Sequence, residues 1–81
     1  MVEAEAIVAD TVAVMLQRRA EDGRATDVAY HLDADLYDDL GLDSLEVAEL
    51  SATLEDVLGT DPYSAGLTPR TPAQILAFYA D

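Results

Sequence analysis

Apolar residues recur at helical spacing in three separate stretches of this 81-residue sequence. The first stretch runs from Val2 to about Arg19 and predicts a helix. Its apolar line and the neighbouring line are Ala4, Val8, Val12, Met15 and Arg19, then Ile7, Thr11, Val14 and Arg18. Glutamates near its start and arginines near its end complement the helix dipole. Gly23 is the expected stop.

The second stretch predicts a helix from Ser44 to about Leu58. On a helical wheel its apolar arc consists of Val47, Leu50, Leu54, Val57 and Leu58. Leu45 lies nearly opposite that arc, beside Ser44, and it is surrounded by carboxylates and small residues, including Glu46, Ala48, Glu49 and Ala52. Such a surface is typical of partner docking. Gly59 is expected to end the helix.

The third stretch predicts a short helix with Thr71 as N-cap, Pro72 at its first position and Gln74 completing a capping box. Residues 24–43 show no sustained period, and their apolar residues are expected to hold a long loop against the core: Val28, Tyr30, Leu32, Leu36, Leu40 and Leu42. The predicted fold is all-α, a single domain over residues 1–81. It is a small bundle of three main helices plus a short helical turn, with a long loop between helices 1 and 2.

The start of the second helix carries the candidate chemistry. Asp43 suits the N-cap, and Glu46 can reach back to form a capping-box pair. Ser44 is then the first helical residue, so its hydroxyl is not used as the cap. A phosphate esterified to it would face the positive end of the helix dipole. We therefore interpret Ser44 as a covalent attachment point, with Gly41 supplying the permissive backbone before it.

Charge and composition restrict the partners. Seventeen acidic residues stand against four arginines and no lysine, a formal charge of -13. This charge repels nucleic acid and anionic membranes and favours partners with basic docking surfaces, although for most of the carboxylates solubility is a sufficient explanation. The sequence has no cysteine, no bilayer-length apolar run and no basic N-terminal signal, so we expect a cytoplasmic monomer.

Metal binding and catalysis lack the residues they need. A calcium loop beginning at Asp33 would need an oxygen ligand at its fifth position, glycine at its sixth and glutamate at its twelfth, where the sequence has Tyr37, Asp38 and Ser44. No metal site is therefore expected. Nucleophilic catalysis by Ser44 would need a base, and His31 is the only histidine. The Gly-x-Ser-x-Gly elbow is also absent, so the sequence predicts a protein that is not an enzyme.

The stretch Asp39-Leu40-Gly41-Leu42-Asp43-Ser44-Leu45-Glu46, followed by an acidic amphipathic helix, resembles the signature of acyl carrier proteins. The resemblance covers nearly the whole chain, because the helix order and the long loop also agree. It implies that Ser44 carries 4'-phosphopantetheine, transferred from coenzyme A by a magnesium-dependent phosphopantetheinyl transferase. The thiol of that arm would hold an acyl or aminoacyl group as a thioester for partner enzymes.

The resemblance also implies that Asp43, Leu45, Glu46 and Glu49 meet these partners. Ala48 and Ala52 are smaller than the residues often found at their positions, which predicts shallower contacts. The segment from Pro62 to Pro69 lacks the acidic short helix of fatty-acid carriers, which favours polyketide, lipopeptide or aminoacyl metabolism over fatty acid biosynthesis. The competing hypothesis is an unmodified acidic helical module that docks a basic partner.

Overall fold

The computed structural model describes residues 2–24 and 28–80, without the side chain of Val2. Its three helices are α1 (Val2–Glu21), α2 (Ser44–Leu58) and α3 (Pro72–Tyr79). Within these ranges there is no β-strand, so the all-α prediction is confirmed. No helix among the described residues is long and apolar enough to cross a membrane.

Helix α1 packs against both α2 and α3. The predicted line of α1 is buried along its whole length, from Ala4 at 0% exposure to Arg19 at 9%. Three of its residues share one hydrophobic cluster with Val47, Leu50 and Leu54 of α2: Val8, Val12 and Met15. The spacing of these residues thus set the core-facing side of both helices, as the wheel predicted.

The long loop contributes much of the remaining core. Leu36, Leu40 and Leu42 are buried, as expected, and Ala34 is also fully buried. Leu32 is instead 43% exposed. Residues 36–40 form turns rather than a helix, with Leu40 N–H donating to the Asp35 carbonyl at 3.0 Å. Residues 25–27 of the predicted loop lie outside the described part.

A side-chain clamp joins this loop to the segment before α3. The Arg70 guanidinium donates to both carboxylate oxygens of Asp35, at 2.8 and 3.1 Å, and lies over the Tyr37 ring at 4.9 Å. The hydrogen bond from Arg70 holds the pKa of Asp35 below its ordinary value. The Leu36 N–H also donates to the Arg70 carbonyl at 2.7 Å. A backbone hydrogen bond and a side-chain ion pair therefore both join the loop to the segment before α3.

Asp61 fixes the segment after α2. Its carboxylate is 1% exposed and accepts hydrogen bonds from the Ser51 hydroxyl at 2.8 Å and from the Tyr63 and Ser64 N–H groups at 2.9 and 3.1 Å. Burial alone would raise the pKa of Asp61. Hydrogen bonds involving Ser64 and Ser51 outweigh this effect, so its pKa lies below its ordinary value.

Two local predictions differ from the structure. The wheel places Val57 in the apolar arc of α2, but Val57 is 52% exposed, because it lies at the edge of that arc in the last turn of the helix. Thr71 does cap α3, with its hydroxyl accepting from the Gln74 N–H at 3.1 Å. The Gln74 side chain does not complete the box, since its oxygen accepts from the clamped Arg70 N–H at 2.6 Å.

Candidate functional site

The junction before α2 is a complete capping box. Asp43 has extended backbone geometry, with φ -98 and ψ 176, and its carboxylate accepts from the Glu46 N–H at 2.8 Å. The Glu46 carboxylate accepts in turn from the Asp43 N–H at 3.1 Å. Ser44 is the first residue of the helix. The predicted cap and the predicted position of the serine are both confirmed.

The Ser44 side chain is exposed and makes no hydrogen bond within the described ranges. Ser51, by contrast, donates its hydroxyl to buried Asp61. An exposed hydroxyl at the first position of a helix has room for an ester, and the unpaired N–H groups of the first turn favour a phosphate there. The residues present therefore fit a phosphate-linked group.

Two buried leucines hold the backbone that leads to the serine. Leu40 and Leu42 are 0% and 3% exposed and lie on either side of Gly41, which has a φ of +75. That left-handed conformation favours glycine and lets both leucines enter the core. The Leu42 N–H also donates to the Leu36 carbonyl at 2.9 Å. The two buried side chains and this backbone hydrogen bond thus fix the segment that leads into α2.

A nearly buried ion pair connects α1 to this junction. The Arg19 guanidinium lies 2.9 Å from a Glu46 carboxylate oxygen, and the two side chains are only 11% and 13% exposed. The sequence interpretation placed Arg19 on the buried line and Glu46 on the partner surface, but it did not predict the pair. The available signal was a charged residue ending an otherwise apolar line.

The remaining residues of the predicted partner surface are exposed: Asp43, Leu45, Ala48, Glu49 and Ala52. Leu45 is the most prominent, at 70% exposure. Glu49 makes an exposed ion pair with Arg18 at 3.3 Å. The structure therefore brings the Ser44 hydroxyl, one apolar side chain and several carboxylates to a common surface around the first turns of α2.

The acidic loop is organised by internal bonds. Asp35 accepts from the Tyr37 and Asp38 N–H groups as well as from Arg70, and no cluster within residues 2–24 and 28–80 has the groups to hold a metal ion. His31 is exposed, and its Nδ1 accepts from the Asp33 N–H at 3.2 Å. One of its two ring nitrogens is therefore engaged in a local turn.

An acidic helical domain with an exposed serine at the head of its central helix has the architecture of a carrier for a covalently bound group. The family model described as phosphopantetheine attachment site matches residues 7–78, and the chain belongs to this family. Its prosthetic group is 4'-phosphopantetheine, and carrier domains of this family are generally non-catalytic. No curated protein and no solved structure gave a significant match to the chain.

Proposed function

We propose that Ser44 is the residue that carries 4'-phosphopantetheine and that the protein presents thioester-bound acyl or aminoacyl groups to partner enzymes. The observation that supports this most is the exposed Ser44 hydroxyl, without a hydrogen-bond partner in the described structure, at the first position of a capped helix. The family match supports the carrier role itself. When bound, the arm supplies a terminal thiol, which explains why a chain without cysteine can hold thioesters.

In the attachment step, the Ser44 hydroxyl loses its proton and forms a phosphodiester bond, while the bond to the adenosine bisphosphate part of coenzyme A breaks. The one histidine, His31, has its Nδ1 engaged by the Asp33 N–H and lies in the loop rather than at the start of α2. A phosphopantetheinyl transferase therefore supplies the base and the magnesium. Asp43 and Glu46 hold the serine in place through the capping box.

The partner surface consists of Asp43, Leu45, Ala48, Glu49 and Ala52. Leu45 supplies an exposed apolar contact, and the formal charge of -13 attracts a basic partner before contact. Glu46 belongs to the same predicted surface and also has a positioning role. Because its carboxylate is held by Arg19 and the Asp43 N–H, it positions this surface and contributes little free charge to it.

We further propose that the cargo belongs to polyketide- or lipopeptide-type metabolism. The segment between Pro62 and Pro69 forms turns, with Gly66 at a φ of +89 and Tyr63 donating to the Pro69 carbonyl at 3.2 Å. This geometry is consistent with the sequence difference from fatty-acid carriers. A panel of acyl- and aminoacyl-loading enzymes tests this part, with thioester formation on the arm as the readout.

The attachment itself is tested by incubating the apo protein with coenzyme A, magnesium and a broad-specificity phosphopantetheinyl transferase, followed by intact mass measurement. We expect a gain of one phosphopantetheinyl group in the wild type and in Ser64→Ala, which removes the other exposed serine, and no gain in Ser44→Ala. A gain that persists in Ser44→Ala would contradict the assignment of the residue. The absence of any gain would favour the unmodified interaction module.

A further inference from the structure

Three of the four arginines of this acidic protein line one surface cavity between the end of α1 and the first turns of α2: Arg18, Arg19 and Arg24. We name this cavity, of about 200 Å³, the arginine cleft. Residues 18–24 contain three arginines and two acidic residues, whereas the rest of the chain contains one arginine and fifteen acidic residues. The basic charge of the protein is therefore concentrated at this cleft.

The backbone after α1 brings the third arginine to the cleft. Arg18 and Arg19 lie in the last turn of α1, where cations complement the helix dipole. Arg24 lies beyond the helix end, and this effect falls off within the last turn. The chain turns back at Gly23, which has a φ of +79, and the Arg24 N–H donates to the Arg19 carbonyl at 2.7 Å. Compensation of the dipole thus does not account for Arg24.

Two of the three arginines make ion pairs that a partner can replace. Arg18 pairs with Glu49 at 3.3 Å and Arg24 pairs with Asp22 at 3.4 Å, and all four side chains are about half exposed or more. Ion pairs this exposed contribute little to stability, so their exchange costs little. Arg19 is different, because its pair with Glu46 is nearly buried. The exchangeable arginines of the cleft are therefore Arg18 and Arg24.

The cleft lies beside the candidate attachment residue. Asp43 and Leu45, which precede and follow Ser44 in the sequence, both line it, although Ser44 itself does not. Enzymes that act on the cargo can work at the far end of the arm. The transferase must instead reach the Ser44 oxygen, and a typical interface covers about 800 Å² on each protein. The transferase is therefore the partner whose contact surface extends over the cleft.

We propose that the arginine cleft receives an acidic side chain of the phosphopantetheinyl transferase. This side chain contacts Arg18 and Arg24, while basic side chains of the same enzyme contact Glu49 and Asp43. The inference rests on the proposed attachment of the arm to Ser44. It changes the expected docking surface of the transferase from a uniformly basic one to one that carries both signs of charge.

The pairing of charges explains why the partner must bring both signs. A carboxylate that entered alone would leave Glu49 and Asp22 without their arginines, so a small anion is a poor occupant. A uniformly basic surface would be attracted by the net charge of the protein but would place like charges against Arg18 and Arg24. A surface with both signs replaces each exposed pair and leaves no charge unpaired. The arginines thus discriminate among basic enzymes.

The sign of a charge effect tests the proposal. Arg18→Gln and Gln17→Glu each make the protein more negative by one charge, but Gln17 is exposed on α1 and does not line the cleft. The measurement is kcat/KM for transfer from coenzyme A by the broad-specificity transferase. Arg18→Gln and Arg24→Gln should each lower it about two- to fivefold, the effect of one exposed ion pair. Gln17→Glu should leave it unchanged or raise it.

A double-mutant cycle identifies the acidic side chain. Acidic residues around the acceptor site of the transferase are changed singly to the matching amide, and one of these changes should lose its effect in the Arg18→Gln background. A kcat/KM for Arg18→Gln at or above the wild-type value, an equal loss in Gln17→Glu, or the absence of a coupled acidic residue would overturn this inference alone. Failure to modify the wild type would overturn the attachment, and this inference with it.

Discussion

The Arg19 side chain, at the end of α1, donates through Nε to the Glu46 Oε1 oxygen at 3.0 Å, and the same oxygen accepts from the Asp43 N–H. One carboxylate oxygen thus joins the end of α1 to the cap of α2. Because Ser44 lies between Asp43 and Glu46, the direction in which its hydroxyl points depends on a residue 25 positions earlier in the sequence.

Arg19→Met should destabilise the protein by about 3 kcal/mol, because it leaves the nearly buried Glu46 carboxylate without its counter-ion. Arg18→Met is the control, since its ion pair with Glu49 is half exposed and should contribute less than about 1 kcal/mol. Urea denaturation measures both. Equal losses in the two variants would contradict the structural role of the buried pair. Arg19→Met should also slow modification of Ser44.

Leu54→Ala should cost about 2 to 5 kcal/mol, because Leu54 is fully buried in the core. Leu45→Ala should change stability by no more than about 0.5 kcal/mol, since Leu45 is 70% exposed. The same Leu45 variant should reduce the rate of modification by the transferase. A large loss of stability in Leu45→Ala would reverse the assignment of the two faces of α2.

Association with the transferase should weaken as salt rises, because exposed carboxylates are screened over about 8 Å at physiological ionic strength. Glu49→Gln should reduce both the affinity and its salt dependence. Glu3→Gln is the control, since it removes the same charge at the other end of α1, about 24 Å from Arg19 along the helix axis. It should lower the affinity less than Glu49→Gln does. Titrations at several salt concentrations measure this difference. Binding that is independent of salt would show that apolar contacts through Leu45 dominate.

The stability conferred by Asp61 should depend on pH. Its pKa is lower in the folded protein than the ordinary value of 3.8, so the unfolded state binds a proton first as the pH falls. The stabilising contribution is therefore present above pH 3.8 and is lost as the pH falls through the lower folded pKa. Urea denaturation measures the free energy of unfolding of the wild type and of Asp61→Asn. The difference between the two should narrow as the pH falls below 3.8. A difference that stays constant below pH 3.8 would contradict the lowered pKa of Asp61 in the folded protein.

The parts of the fold that follow from local rules were predictable from the sequence. Helical spacing identified the buried lines of α1 and α2, and the box of Asp43 and Glu46 follows from the preferences of residues at a helix start. The exposure of Leu45 followed from its position opposite the apolar arc. Each of these depends on residues within a few positions of one another.

The contacts between distant segments were not predictable in the same way. Arg19 with Glu46, Arg70 with Asp35 and Ser51 with Asp61 each join residues that only the folded chain brings together. In an acidic sequence every arginine has many candidate partners, and spacing does not select among them. The surface cavities between α1 and α2 were also not predicted, since they depend on how the two helices lie against each other.

All four arginines of the protein pair with carboxylates of their own chain: Arg18, Arg19, Arg24 and Arg70. No lysine adds to them, so the described surface offers no unpaired basic side chain to the acidic surface of another copy. Copies of the protein should therefore repel one another while competing for the basic partner proposed above. Once one copy has docked, its acidic surface offers a second copy no attractive contact. Copies should therefore replace one another on such a partner one at a time.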